Sequence, residues 1–419
     1  MPPQVPTLLL DQTATTAYFD CTKTIDLDKN KIAQHCLNIA IVSETWPPEI
    51  NGVSFSMLQL AKGLQKRGHK ILLIRPQQKT RSHDFIPDME CLVKSQSIPK
   101  YRQLQFGLPQ VFKIGQAFDQ FKPDIVHIVT EGPLGLAALN QAKLRQIPIS
   151  SGFHSAFHDF SRHFDLAFLL KPLQQYLRWF HNNTDLTCVP SQFTLDQLQT
   201  FGVKCAMRVI GRGVDASRFN ANYRSETLRK QWQADQETTV LLSVGRVSPE
   251  KELPVIFSAF HQLKRTQKNR KFVLVVVGDG PILATYQQDY PDVIFMGAQT
   301  GEALSQCYAS ADVFVFPSQV ETFGNVVLEA MASSLPVLAY NYACAGQMLE
   351  QAQAGWLVPL GECNLWQQKL LQLPELKTLR QMGELAAKKA QDKGWEKPVT
   401  DFEQALSQFA KKPMVYARM

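Results

Sequence analysis

From Leu37 onward the chain repeats one pattern, a short unbroken apolar run followed by a longer stretch of mixed polarity. LNIAIVSE (37–44) leads to a helical stretch from about Phe55 to Arg67 that stops at Gly68, and then to KILLIRP (70–76). Strand, helix and strand in such close succession predict the βαβ unit of a parallel sheet. The alternation continues through DIVHIVT (124–130), IPISSGF (147–153), DLTCVPS (185–191) and AMRVIG (206–211). Runs that are continuously apolar, not alternating, predict strands buried on both faces. GRGVDASRF (211–219) breaks the pattern, and a polar, helix-prone stretch follows. A second series then runs through VLLSVGRV (240–247), FVLVVVGDG (272–280), VIFMG (293–297), DVFVFPS (312–318), LPVLAYN (335–341) and GWLVP (355–359). The tail WEKPVTDFEQALSQFA (395–410) predicts one more amphipathic helix.

The reading is α/β, with two doubly wound halves facing a cleft. Residues 36–213 are expected to form the first half, 214–394 the second, and 395–419 a closing helix; residues 1–35 show no pattern and are expected to be a weakly structured extension. With 45% hydrophobic and 19% charged residues over 419 positions, disulfide-miniprotein, collagen-like and disordered classes are excluded. The net charge of +7 fits a protein that handles phosphates or touches an anionic membrane, and does not by itself argue for nucleic acid. The eight cysteines are scattered without a C-x-x-C, as buried small hydrophobes in a reducing compartment would be. No apolar run is long enough to span a bilayer, and the N-terminus lacks a basic signal region. A cytoplasmic protein, soluble or peripheral on the membrane's inner face, is expected.

Ligands of doubly wound sheets bind beyond the carboxyl ends of the strands, so the loops there carry the chemistry. In ETWPPEINGVS (44–54), Pro47, Pro48 and Gly52 rule out a helix. Gly52 would let backbone N–H groups approach an anion, or mark an ordinary turn. In GRVSPEKE (245–252), Arg246 and Lys251 at the start of a helical stretch suit a diphosphate, or are solvated surface charges. In PSQVETFGNVVLEAMASSLPVLA (317–339), Glu321, Phe323, Gly324 and Asn325 form a turn, and Glu329 lies inside the following helix. Gly324 allows a phosphate close approach to the helix start, and the two carboxylates are acceptors for sugar hydroxyls.

The E-x7-E of Glu321 and Glu329, in the string ETFGNVVLEAMA, resembles glycosyltransferase family 4 of the GT-B fold. NGVS, GRVSPEKE, VVVGDGP and the E-x7-E string stand in the family's order, and the likeness spans about residues 37–410. The resemblance implies a UDP- or GDP-linked sugar donor bound mainly by the second half. Arg246 and Lys251 are implied to hold its diphosphate, Glu329 the ribose hydroxyls, and Glu321 the hexose. The amides around Phe323, Gly324 and Asn325 are implied to lie near sugar and phosphates, and Gly52 to approach the diphosphate from the other half. Gly278 and Asp279 are implied to line the base pocket. His154 matches the family's active-site histidine near the transferred sugar, and the helix after Trp395 matches one that crosses back onto the first half. Two departures stand out: Ser334 replaces a glycine common after the acidic helix, and YNYACAG (340–346) replaces a Gly-rich turn.

No cofactor and no metal are expected. His154, His158 and His163 offer a zinc alternative, which the family precedent disfavours. The only Asp-x-Asp, Asp26–Asp28, lies in the leader, away from any strand. The family's chemistry implies retention of anomeric configuration by front-face attack, the leaving phosphate taking the acceptor's proton, with no carboxylate nucleophile. The stretch DLAFLLKPLQQYLRWFHN (165–182) mixes aromatics with Lys171 and Arg178, as suits the face of a bilayer or, alternatively, a buried core helix; YRQLQFGLPQVFKIGQAF (101–118) is similar. SGFHSAFHDFSRHF looks like members that glycosylate membrane lipids, so a lipid acceptor such as diacylglycerol leads over a polysaccharide or soluble sugar. Other classes are a nucleotide-sugar 2-epimerase and a non-catalytic nucleotide-sugar-binding protein. A dinucleotide dehydrogenase is disfavoured because no G-x-G-x-x-G follows the first strand.

Overall fold

The computed structural model describes residues 36–49, 51–78, 84–98, 101–154, 170–349 and 353–411. The leader with Asp26–Asp28, and the segment carrying His158 and His163, lie outside the described residues. The first half runs β1 (Asn38–Val42), α1 (Gly52–Lys66), β2 (Lys70–Pro76), β3 (Met89–Val93), β4 (Ser95–Ile98), β5 (Tyr101–Gly107), α2 (Val111–Phe121), β6 (Ile125–Ile128), α3 (Pro133–Leu144), β7 (Ile149–Gly152), α4 (Leu170–Asn182), β8 (Leu186–Val189), α5 (Gln192–Phe201) and β9 (Ala206–Val209). Seven of these strands form a parallel sheet in the order β3-β2-β1-β6-β7-β8-β9, while β4 and β5 pair as a separate antiparallel ribbon.

The second half continues with α6 (Glu226–Gln231), β10 (Thr239–Val244), α7 (Leu253–Thr266), β11 (Phe272–Val277), α8 (Leu283–Asp289), β12 (Ile294–Phe295), α9 (Gly301–Ala309), β13 (Val313–Phe316), α10 (Asn325–Ala332), β14 (Val337–Tyr340), α11 (Ala343–Leu349), β15 (Gly355–Val358), α12 (Cys363–Leu371), α13 (Leu376–Gln391) and α14 (Glu396–Phe409). Its parallel sheet has the order β12-β11-β10-β13-β14-β15.

The apolar runs become strands because both faces are covered. All six residues of β10 are buried, and alternate residues feed different cores: Val240 and Leu242 on one face, Leu241 on the other. The stretch 101–118, similar in sequence to 165–182, divides into two elements: Tyr101–Gly107 is β5, and the helix starts only at Val111, past Pro109. Proline removes a donor and restrains the residue before it, which separates the two elements.

Two chain crossings link the halves, and they touch. Val214 N donates to Lys393 O at 2.8 Å, and a Cβ on Gly213 would lie 2.7 Å from the Gly394 carbonyl carbon. After the second crossing α14 returns to the first half. Val399, Phe402, Ala405 and Leu406 join the core built on Ile39 and Ile41. A cluster at the end of α1 fastens it: Arg67 pairs with Glu396 and Glu403 and donates to Thr400 Oγ1 at 2.8 Å, and His69 Nε2 lies 2.8 Å from Glu403.

Both departures from the family pattern fall in left-handed backbone. Ser334 has φ 63° just after α10, and Ala343 has φ 49° at the start of α11. Glycine is usual where Ser334 follows a helix, and a Cβ is strained in the left-handed region at both positions. The departures are therefore conformational costs of turns.

β1 delivers Glu44 to the start of α3. Glu44 Oε1 accepts from Leu134 N at 2.9 Å, and a Cβ on Gly132 would stand 2.1 Å from Oε2, so a side chain there would displace the carboxylate. Burial pushes the Glu44 carboxyl up to about 7, with the charge of Glu131 adding and the Leu134 bond opposing.

Two predictions follow from these turns and this carboxyl. Ser334→Gly relieves the left-handed strain and raises stability by about 0.5–1 kcal/mol, or Tm by roughly 1–2 °C; an unchanged or lower Tm contradicts it. Glu44 has a raised folded pKa, so its contribution is fully present below the unfolded carboxylate pKa and is lost as pH rises toward 7. Between about pH 5 and 7 the wild type loses about 2 kcal/mol that Glu44→Gln does not lose. Melting curves across that range check it: parallel pH profiles for the two proteins overturn the assignment.

Candidate active site

Each sheet reverses its strand order once, between β1 and β6 in the first half and between β10 and β13 in the second. Crevices at such reversals, beyond the carboxyl ends, are where doubly wound sheets hold ligands. The loops after β1, β10 and β13 are the three that the sequence singles out.

After β10 the chain passes Gly245 and Arg246, makes a single 3-10 turn over Pro249–Lys251, and enters α7 through Glu252 in the left-handed region. Lys251 thus stands on this short turn, ahead of the helix and not within it. Its Nζ pairs with Glu321 and lies 3.4 Å from Ser318 Oγ, while Ser318 Oγ donates to Glu321 Oε1 at 2.9 Å. Lys251 and Glu321, far apart in sequence, share one spot at the ends of β10 and β13. Arg246 is set aside from them: Nη2 donates to Glu250 Oε1 at 2.8 Å and its side chain is 56% exposed. Gly278 and Gly280 serve packing. Their added Cβ atoms would lie 1.8 Å from Gly245 O and 2.1 Å from Val247 O, so these glycines let the loops after β10 and β11 approach. Asp279 is exposed and accepts from Gly280 N at 2.7 Å.

Gly324, with φ 88°, turns the chain into α10. Phe323 is buried in the core of the second half, and its carbonyl accepts from Cys344 N at 2.8 Å. Asn325, the first helical residue, reaches across: Nδ2 donates to Ser56 Oγ of α1 at 3.1 Å, and a Cβ on Gly52 would lie 4.0 Å from that nitrogen. Asn51 caps α1 by accepting from Ser54 N at 2.8 Å. The first turns of α1 and α10 therefore meet, each with the positive end of its dipole. One turn further along α10, Glu329 accepts from Tyr308 OH at 2.8 Å. Burial pushes the Glu329 carboxyl up, against the pull of Tyr308 and the Arg218 charge, and burial with Glu329 nearby holds the Tyr308 phenol well above its usual range.

His154 follows β7 in the first half. Its partner is Arg212, whose Nη2 is 3.2 Å from Nδ1, and not the Lys251–Glu321 pair. Burial, then the charge of Arg212, then His127 and His181, hold its pKa well below the ordinary histidine value. His181 is fixed between Ser151 Oγ at 2.9 Å and Glu131 Oε1 at 3.1 Å. Sequence pattern does not single out Glu44, Arg212, Ser318 or Tyr308: Arg212 lies in the GRGVD string, whose signal is a break between strands, and Glu44 opens a loop whose signal is its prolines and glycine.

In α4, Leu177 and Phe180 are buried whereas Leu173 and Trp179 are exposed beside Lys171 and Arg178; in α2, Phe112 is 87% exposed. The helix is thus part core and part surface. Among the described residues no helix is long and apolar enough to cross a membrane, and no three His, Cys, Asp or Glu side chains gather as a metal-holding group.

Residues 50–218 match Glycosyltransferase Family 4, and residues 224–390 match Glycosyl transferases group 1. A GDP-mannose-dependent alpha-mannosyltransferase of Mycobacterium tuberculosis is 32% identical over 78% of this chain and 85% of its own. An alpha-monoglucosyldiacylglycerol synthase of Streptococcus pneumoniae is 28% identical over 77% of this chain and 75% of its own. The structure of a sucrose-phosphate synthase from Thermosynechococcus elongatus superposes with a TM-score of 0.72 at 20% identity, covering 89% of this chain and 98% of that one, which bears on the fold alone. Two parallel sheets with facing reversal points, and relatives matched over most of their length, establish that the chain belongs to glycosyltransferase family 4 and has the GT-B fold.

Proposed function

We propose that this family 4 enzyme moves a hexose from a UDP- or GDP-linked donor to a hydroxyl of a membrane lipid such as diacylglycerol, with retention and without a metal. The observation that carries the reading is the meeting of the α1 and α10 first turns at Gly52 and Asn325, beside the Lys251–Glu321 pair. Two helix starts and a lysine suit a diphosphate. In this reading Lys251 and Arg246 hold the diphosphate, with Gly52 and the amides of Phe323, Gly324 and Asn325 against it. Glu321 accepts from hexose hydroxyls, Glu329 from the ribose, and Gly278 and Asp279 border the base. His154 lies against the transferred sugar.

The bond from the anomeric carbon to the diphosphate oxygen breaks as the acceptor oxygen bonds to that carbon on the same face. The acceptor's proton passes to the departing phosphate oxygen. Charge grows on the diphosphate, and Lys251 stabilises it there more than in the ground state. Lys251 is held ready on Glu321 and Ser318, so the anion meets a cation already positioned.

The Mycobacterium tuberculosis relative carries GDP-mannose in its name, which supports a GDP donor, and the Streptococcus pneumoniae relative carries diacylglycerol, which supports a lipid acceptor. Exposed Phe112, Leu173 and Trp179 beside Lys171 and Arg178 support contact with an anionic bilayer. On this reading the enzyme works at the cytoplasmic face of the membrane.

The test starts with melting curves against UDP and GDP sugars in EDTA, since a ligand of the folded state raises Tm by mass action. The stabilising donor, labelled in its sugar, is then offered to diacylglycerol vesicles. Label in the lipid is expected, with turnover unchanged by EDTA. Label entering only soluble sugar or polysaccharide overturns the lipid acceptor, and binding without consumption overturns catalysis. Lys251→Ala is expected to lose about 10²–10³ in kcat; near wild-type turnover removes Lys251 from the mechanism.

A further inference from the structure

His154 has one ring nitrogen, Nε2, that is buried and has no hydrogen-bond partner among the described residues. Its other nitrogen has no choice of role. Arg212 Nη2 lies 3.2 Å from Nδ1, and a guanidinium has only donors and stays charged. Nδ1 must therefore accept, and a neutral ring then carries its proton on Nε2. Arg212 is itself held in place: Nη1 donates to the carbonyls of Ile210 at 3.1 Å and Gly211 at 3.3 Å, on the segment leaving β9. Gly152 completes the arrangement, since a Cβ there would stand 2.5 Å from Nε2 and displace the ring.

We infer that Arg212 is a positioning residue that locks His154 as the neutral Nε2–H tautomer, so that the ring offers one buried donor to an oxygen of the bound sugar and has no site left to act as a base. The inference rests on the reading that places His154 against the sugar. Among the described residues, the titratable and charged groups around the ring are Arg212, His127 and His181. His127 is engaged by Ser150 Oγ at 2.8 Å, and the nearest carboxylate in this network, Glu131, binds His181 and not His154. A second proton on His154 would set an N–H against the Arg212 guanidinium with no anion between them. The step assigned to His154 is thus donation alone, and the acceptor's proton leaves on the phosphate.

The test is the long-range proton–nitrogen spectrum of the full-length chain labelled at histidine nitrogens, with the His154 signals assigned by their loss in His154→Gln. Wild type is expected to show protonated Nε2 and acceptor-type Nδ1, unchanged from pH 6 to 8. A protonated Nδ1, or an imidazolium at pH 7, overturns the inference. Arg212→Ala is expected to populate both tautomers and to lower kcat about tenfold, the worth of one hydrogen bond, with donor KM little changed. Arg212→Lys, which keeps a donor, is expected to restore the single tautomer and most of the rate. An Arg212→Ala protein that still shows only the Nε2–H form also overturns it; should that variant not fold, the wild-type and Arg212→Lys spectra decide. If the spectra agree with the inference while His154→Gln turns over like wild type, the placing of His154 on the sugar fails and the role of Arg212 stands.

Discussion

The contact between Asn325 and Ser56 brings the starts of α10 and α1 together, and with them two positive dipole ends. Like ends repel at short range, and their N–H groups have no partners within the helices. An arrangement of this kind is tolerated when other interactions hold the halves in place. Here the double crossing at Gly213 and Gly394, and the return of α14 to the face of β1, provide them. Arg67, His69, Glu396 and Glu403 join α14 to the far end of the same α1 whose start meets α10. α1 thus carries at its start the residues that meet α10 and at its end the residues that hold α14.

The first half keeps its polar residues inside at a cost, and pairs them to meet it. Burying an unpaired polar group costs several kcal/mol, and a satisfied network removes that penalty while fixing the geometry. The serines of β7 do this directly: Ser150 bonds His127, and Ser151 bonds His181. Both serines are fully buried, and the flanking strands β6 and β8 supply polar partners in His127 and Thr187. They stand just before the strand end from which His154 emerges. Gly152 and Arg212 therefore both bear on the orientation of that ring, one through close packing and the other through a hydrogen bond.

Strands were legible because a strand buried on both faces must be apolar throughout, and KILLIRP runs as β2 over Lys70–Pro76. The antiparallel ribbon of β4 and β5 was not, since the mixed polarity of YRQLQFG flows into a real helix from Val111 and imitates its start. The loops carrying Gly52, Lys251 and Glu321 were legible from glycine, proline and charge at strand ends. Partners were harder. Arg212 and His154 are 58 residues apart, and Tyr308 and Glu329 are 21 apart, distances at which no helical or strand period operates. Gly278 was legible as a glycine that matters, but its reason, the Gly245 carbonyl against its α-carbon, exists only once β10 and β11 lie side by side.

The spacing of Glu321 and Glu329 has a simple physical origin. From Glu321 the chain needs three residues to reach Gly324, whose left-handed φ turns it into α10. Asn325 then begins the helix, and Glu329 lies four residues on, about one turn, so that Asn325 and Glu329 share a face. One carboxylate is thereby fixed by a turn, against Lys251 and Ser318; the other is fixed by a helix, against Tyr308. A residue added between Gly324 and Glu329 would rotate the second carboxylate by about 100° and carry it off that face. A residue added before Gly324 would leave the helix intact and move Glu321 away from Lys251. The eight-residue interval is the sum of one glycine turn and one helical turn. It is readable in sequence because both lengths are set by backbone geometry and neither depends on what packs around them.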